Sequence, residues 1–192
     1  MIALIRPGCP NPTALAKGNY KHPVNKDALR KSTAGKCMYC ESKIEHNSYA
    51  HVEHIKPKAI FPELEFVWDN LGFCCPVCNT NKGEKYEETI PFIDPYSENP
   101  EDHIVFYEFL ICPKHDSERG RRTINELDLN RGNLVDRRKE KLNKLVILLK
   151  AAKHTPENSL RNQIITILKT DADKDKEYSA MIKSVLLAQG IL

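Results

Sequence analysis

No run of this sequence approaches the roughly 18 consecutive apolar residues that a membrane helix needs. The apolar stretch at its start, MIALIRPGCPNP, is also too short for a secretory signal. These absences predict a soluble cytoplasmic chain with no membrane partner. The G-x-x-x-x-G-K-[ST] phosphate loop is missing as well, which excludes the device by which many chains hold a nucleoside triphosphate. Internal repeats and low-complexity tracts do not occur, and strong net charge is lacking too, at +3. Charge alone therefore does not announce a nucleic-acid binder.

What is present is a chain of 192 residues with 41% hydrophobic content, enough for one compact unit with a real core. The small net charge hides an uneven distribution. Residues 1–36 carry Arg6, Lys17, Lys21, Lys26, Arg30, Lys31 and Lys36 against Asp27 alone, seven minus one or +6, enough to attract phosphate. Residues 63–102 hold ten acids against Lys82 and Lys85, a sign that keeps such a surface off a phosphate backbone.

Seven cysteines are an odd number, and four of them form two C-x-x-C pairs, Cys37-Met-Tyr-Cys40 and Cys75-Pro-Val-Cys78. In a reducing compartment such pairs favour metal over disulfides. Four thiolates in two chelating pairs suit a closed tetrahedral structural zinc site, which contributes folding free energy outright. Cys9, Cys74 and Cys112 are left as small buried hydrophobes. The pairs are separated by residues 41–74, a gap of 34, longer than that of an ordinary zinc ribbon of about 15–20. The insertion has room for a site of its own.

The chain divides into three parts. Residues 1–36, broken by Pro7, Pro10, Pro12 and Pro23, suggest an extended basic arm with at most one short helix near 26–32. Residues 37–95 are rich in Cys, His and Asn and too poor in apolar positions for a core of their own. Residues 96–192 suggest a mainly helical region, continuous with the core as one domain. Thr123-Ile-Asn-Glu126 has the capping-box pattern, followed by Leu134, Val135, Leu142, Leu145, Val146 and Leu149 at helical spacing. A second helix capped by Asn158 or Ser159 would carry Leu160, Ile164, Ile167 and Leu168 on one side, and a third Tyr178, Met181, Ile182, Val185 and Leu186. These stripes are core positions. DADKDKE at 171–177 is a solvated connection.

The insertion contains HVEHIKPK at 51–58. Its H-x-E, with the later C-x-x-C, could be the zinc site of a nucleobase deaminase, in which His51, Cys75 and Cys78 hold the metal and Glu53 moves protons. Pro57 would then fall inside the required helix at a cost of about 3 kcal/mol. Cys74 stands where proline is expected, and Cys37 and Cys40 lose their partners. The alternative accounts for more residues. Glu53-His54-Ile55-x-Pro57, then Asn70-Leu71, then Cys78-Asn79-x-x-Lys82-Gly83 strongly resemble the HNH endonuclease family, with Asn70 and Asn79 nine positions apart. The four cysteines match its zinc-stapled branch.

The resemblance implies an α+β fold with a small ββα-metal (His-Me finger) core, stapled by zinc and packed against a mainly helical C-terminal part. It makes His54 the general base, suited because imidazole titrates near neutral pH. Glu53 and Asn79 become hard oxygen ligands for Mg²⁺ or Mn²⁺. Asn70 braces the loop carrying the base, whose other ring nitrogen still needs an acceptor that the sequence does not identify. Lys82 is either a phosphate contact or a solvated charge, and His51 either an additional ligand or a structural residue. His22, His46, His103 and His154 have no assigned partner, and Cys112-Pro-Lys-His115 is a chance likeness to a metal motif.

Ile5-Arg6-Pro7, FPELEFVWDNLGFCCPVCNTNKG and TINELDLNRGNLVDRRKE extend the likeness, over residues 1 to about 140, to the retron- and Septu-associated HNH nucleases of bacterial anti-phage defence. That implies DNA as substrate and an ATPase subunit as partner, which would supply part of the grip that the modest charge leaves short. The acidic stretch 84–102 and the last helices are its candidate docking surfaces. The rival reading is a non-catalytic zinc-ribbon module that binds nucleic acid or protein.

Overall fold

A computed structural model describes residues 1–44 and 49–192, and His46 lies outside the described residues. Two helices, where the prolines suggest at most one, form the N-terminal arm: α1 (Pro12–Ala16) and α2 (Pro23–Ser32). Each starts with proline, whose missing N–H falls among donors a helix leaves unsatisfied anyway. Asn11 caps α1 by accepting from Ala14 N at 3.0 Å. The buried Asn25 of α2 accepts from Asn11 N at 2.9 Å and donates to Asn11 O at 3.0 Å, locking the helices together. Leu15 and Leu29 then pack on Val52, Leu71 and Phe73, so the arm is folded against the centre of the molecule.

That centre is an antiparallel hairpin, β1 (His51–His54) and β2 (Leu71–Cys74), with Glu53 opposite Gly72 and His54 opposite Leu71. One residue later begins α3 (Pro76–Lys82), where the Cys75 sulfur accepts the Cys78 N–H at 3.4 Å and Gly83, at φ 51°, closes the last turn. Hairpin and helix together make the expected ββα core. The Cys37–Cys40 knuckle lies across β2, with Met38 N donating to Phe73 O at 3.0 Å. Gly72 makes that approach possible, since a Cβ there would run into the Met38 sulfur.

The mainly helical C-terminal part also carries a second antiparallel hairpin that the sequence does not announce, β3 (Ile104–Tyr107) and β4 (Leu110–Pro113). Its two-residue turn is Glu108-Phe109, with Glu108 at φ 53°, not the Asn-Gly or Asp-Gly that usually marks such a turn. Four helices follow: α4 (Glu118–Glu126), α5 (Gly132–His154), α6 (Asn158–Asp171) and α7 (Ser179–Ala188). Thr123 and Glu126 cap nothing. They lie inside α4, whose cap is Ser117, accepting from Gly120 N at 3.1 Å, while the buried Thr123 hydroxyl accepts from Ile93 N at 3.1 Å. The N-cap of α6 is Glu157, not Asn158 or Ser159.

Leu145, Leu168, Tyr178, Met181, Ile182 and Leu186 form the expected helical core, whereas Leu160 and Ile167 are exposed. Glu41, beside Cys40, accepts from Ser179 Oγ at 3.0 Å and Ala180 N at 3.3 Å, joining the knuckle to α7. Cys74 is buried as expected; Cys9 and Cys112 are half-buried. Among the described residues no helix is long and apolar enough to cross a membrane.

Candidate active site and metal centre

The knuckle before β1 and the first turn of α3 bring Cys37, Cys40, Cys75 and Cys78 together, with all four sulfurs within 4.8 Å of one another. Sulfurs bound tetrahedrally at about 2.3 Å from zinc stand about 3.8 Å apart, and the Cys40–Cys75 separation is 3.9 Å. The donor set therefore fits such an ion with little adjustment. Packed together, the thiols do not ionise alike: hydrogen bonding to Cys37 pushes those of Cys40 and Cys78 up and that of Cys75 down, a split that a divalent cation held by all four would remove. Four thiolates around a divalent ion leave an excess of negative charge, and Arg131 answers it with two guanidinium nitrogens at 3.7 and 3.8 Å from Cys78 Sγ. No spacing in the sequence marks Arg131 for this place.

The same elements position the second group. Glu53 and His54 end β1, and Asn79 is one turn into α3. All three line one cavity of about 330 Å³, with Lys58, Glu65 and Lys82. The His54 Nε2 lies 3.0 Å from the Glu65 carbonyl oxygen. A carbonyl only accepts, so Nε2 carries the proton and Nδ1 keeps its lone pair. The acceptor that the sequence leaves unidentified is thus a backbone group of the β1–β2 loop. Burial pushes the His54 pKa down, which keeps the ring neutral.

Asn70 stands behind the cavity. It accepts from Lys56 N at 2.8 Å and donates to Lys56 O at 2.9 Å and Leu64 O at 3.2 Å, pinning both ends of the loop that supplies the Glu65 carbonyl.

Lys82 is not a solvated charge. It is buried, with its ammonium 2.6 Å from Glu53 Oε1 and 2.7 Å from the His54 carbonyl oxygen. Burial nevertheless raises the Glu53 carboxyl to about 7, with Lys82 pulling the other way. His51 accepts at Nδ1 from Asn79 Nδ2 at 3.0 Å, so the two residues fix each other's orientation. Glu53 Oε2 and Asn79 Oδ1 make no hydrogen bond among the described residues. Two hard oxygen donors therefore stand open on one cavity, which suits Mg²⁺ or Mn²⁺. Tyr20, unremarked in the sequence, packs edge-on against the His54 ring at 4.6 Å between centroids.

The geometry also disposes of the deaminase arrangement. His51 and Glu53 lie on a strand, not at a helix start, and Cys75 and Cys78 are joined to Cys37 and Cys40. Cys112 and His115 enter no metal-holding cluster among the described residues.

Comparison with known proteins agrees with this geometry. The HNH endonuclease family profile matches residues 37–85, the span from the knuckle to the end of α3. The chain is 31% identical to a Septu protein PtuB of Bacillus thuringiensis, over 97% of its own length and 82% of that protein's. It is 27% identical to a Septu protein PtuB of Bacillus mycoides, over 87% of its own length and 66% of that protein's. A Vibrio cholerae protein assigned as the HNH endonuclease of retron Vc95 is 32% identical over 74% of each chain. The resemblance carried by Glu53-His54, Asn70 and the paired cysteines is borne out: the chain belongs to the HNH endonuclease family, in the group of the Septu PtuB proteins.

Proposed function

We propose that this protein is a metal-dependent endonuclease that hydrolyses phosphodiester bonds of DNA, with zinc at the four cysteines and Mg²⁺ or Mn²⁺ at the His54 cavity. The observation that carries the reading is the convergence of an imidazole with an open Nδ1 and two open oxygen donors on one cavity, held by elements that the cysteine cluster joins. His54 Nδ1 takes a proton from water, and the Glu65 carbonyl at Nε2 holds the ring in the tautomer that allows it. Glu53 and Asn79 would hold the divalent ion, which when bound stabilises the charge developing on the departing oxygen. Lys82 anchors Glu53 to α3, His51 orients Asn79, and Asn70 keeps the loop in register with the base.

The relatives' Septu and retron names support a place in bacterial anti-phage defence, in the cytoplasm. Because the chain lacks a phosphate loop of its own, an ATPase subunit is the partner that would sense nucleotide and license cutting. Plasmid incubated with Mn²⁺ or Mg²⁺ tests the reading. Wild type nicks it and His54→Ala loses about 10²–10⁴-fold in rate at unchanged zinc content. Absence of nicking in wild type, with the ATPase present, would replace this reading with the non-catalytic binding module.

A further inference from the structure

Beside the His54 cavity lies a second one, of about 420 Å³, that the ββα core alone does not build. Tyr20, Lys21 and Lys26 of the N-terminal arm form one wall, and His51, His54, Lys58 and Asn79 contribute the rest of its polar lining. The two cavities share His54, Lys58 and Asn79, so they adjoin. Their charges differ. The His54 cavity mixes Lys58 and Lys82 with Glu53, Glu65 and Glu84, whereas the arm-side cavity gathers three lysines and, among the described residues, no carboxylate.

Three ammonium groups on one concave surface repel one another at short range, and an anion lying among them relieves that repulsion. Neither Lys21 nor Lys26 pairs with a carboxylate among the described residues, while Lys58 reaches Glu65 at 2.6 Å. Lys26 also lines a third cavity with Arg30, Lys43 and Asp27, whose carboxylate pairs with Arg30 at 2.7 Å. The lysines stand on a fixed wall, since Asn25 clamps α2 to α1 and Leu29 seats the arm on β2. Tyr20 adds an aromatic ring at the joint between the cavities, with Lys21 and Lys58 at 5.4 and 5.2 Å from its centre. Basic groups interleaved with an aromatic face are what a single nucleic-acid strand uses, phosphates on the cations and a base on the ring.

We propose that the arm is the substrate-strand groove: one strand of nucleic acid leaves the His54 cavity over Tyr20, with its phosphates on Lys21, Lys26 and Lys58. The inference rests on the nuclease reading for which cavity holds the cut, and it assigns a function to residues 17–30, which lie outside the matched HNH span. The His54 cavity itself carries Glu84, the first residue of the acidic stretch.

The test is fluorescence anisotropy of a labelled single-stranded oligonucleotide with zinc-loaded protein and no added Mg²⁺ or Mn²⁺, as a function of salt. Lys21→Ala/Lys26→Ala is compared with Lys144→Ala/Lys150→Ala, an equal loss of charge at exposed positions of α5, each checked for unchanged zinc content and melting temperature. The groove pair binds at least tenfold more weakly than wild type, and its salt slope is shallower by about 1.4, two contacts at about 0.7 each. The α5 pair stays within about twofold of wild type on the same dependence. The proposal is overturned if the groove pair also stays within that range, if the α5 pair weakens equally, or if wild type does not bind. Wild type that binds but never cuts sinks the nuclease reading and leaves the groove standing. Groove variants that bind and cut like wild type sink the groove alone.

Discussion

The ammonium of Lys82 is taken out of water at the end of a seven-residue helix, and its partners are the Glu53 carboxylate and one carbonyl. Removing one member of a buried pair leaves the other uncompensated, which costs about 3–5 kcal/mol. Lys82→Met is therefore expected to lower the melting temperature strongly, and adding Glu53→Gln should recover most of the loss in a double-mutant cycle. Equal losses in single and double variants would show that the pair is not coupled. Gly72 carries a second constraint. Gly72→Ala forces the buried Met38 sulfur away and should cost about 1–3 kcal/mol, read from the midpoint of urea unfolding, with Met38→Ala in the same chain relieving it.

At this scale the sequence is most informative where chemistry demands a residue type. Glu53, His54, Asn79 and the four cysteines are recognisable because few other side chains could serve. The Glu65 acceptor is not, because a backbone carbonyl has no residue code. Lys82 is misjudged because burial cannot be seen in a lone lysine near a helix end.

Among the elements, the hairpin and α3 hold together with the help of sulfur. Three of the four cysteines are buried in the same cluster as Met38, Tyr39, Phe92 and Ile93, so the metal site and the core are one structure. An organomercurial thiol reagent is expected to release one zinc per chain and to lower the melting temperature sharply. Metal content by plasma spectrometry with calorimetry checks this, and a chain that melts unchanged after losing its metal would contradict it.

Farther along, Glu98 ties the segment before β3 to α4. It accepts from two Arg119 nitrogens at 2.5 and 2.7 Å and lies 3.0 Å from His103 Nε2. Burial pushes its carboxyl up, but the Arg119 hydrogen bonds prevail and hold it below the ordinary 4.5. A lowered folded-state pKa means that this stabilisation is complete above the unfolded value and fades as pH falls through the folded one. Wild type should thus out-melt Glu98→Gln at about pH 7, with the gap closing as the pH drops below about 4. A gap that persists in acid would contradict the assignment.

The second hairpin shows why elements are harder to read than sites. Its turn uses Glu108 at positive φ where glycine or asparagine would announce it, and its strands are four residues each. Thr123-x-x-Glu126 errs the other way, because a capping pattern fits equally well in the interior of a helix whose Ser117 cap is closer to its start.

For the molecule as a whole, the arm packs on the first hairpin, the cysteine knuckle lies across its second strand, and the helical part packs on the second hairpin and meets the knuckle at Glu41, so the charge asymmetry visible in the sequence acquires a place. The +6 of residues 1–36 includes the Lys21 and Lys26 wall beside His54, while the acids of 84–102 begin at Glu84, which lines the His54 cavity. That placement needs the fold, since residue 21 and residue 54 approach only when α1 and α2 close on β2.

The proposed function requires two chemically distinct metal sites, a sulfur one that holds the hairpin to the helix and an oxygen one that exchanges. Titration of zinc-loaded protein with Mn²⁺, followed by electron paramagnetic resonance in the presence of a cleavage-resistant phosphorothioate oligonucleotide, tests this most directly. Wild type is predicted to bind one Mn²⁺ per chain and Glu53→Gln none, both with their zinc intact. Wild type that binds no Mn²⁺, or Glu53→Gln that binds it equally well, would contradict the account.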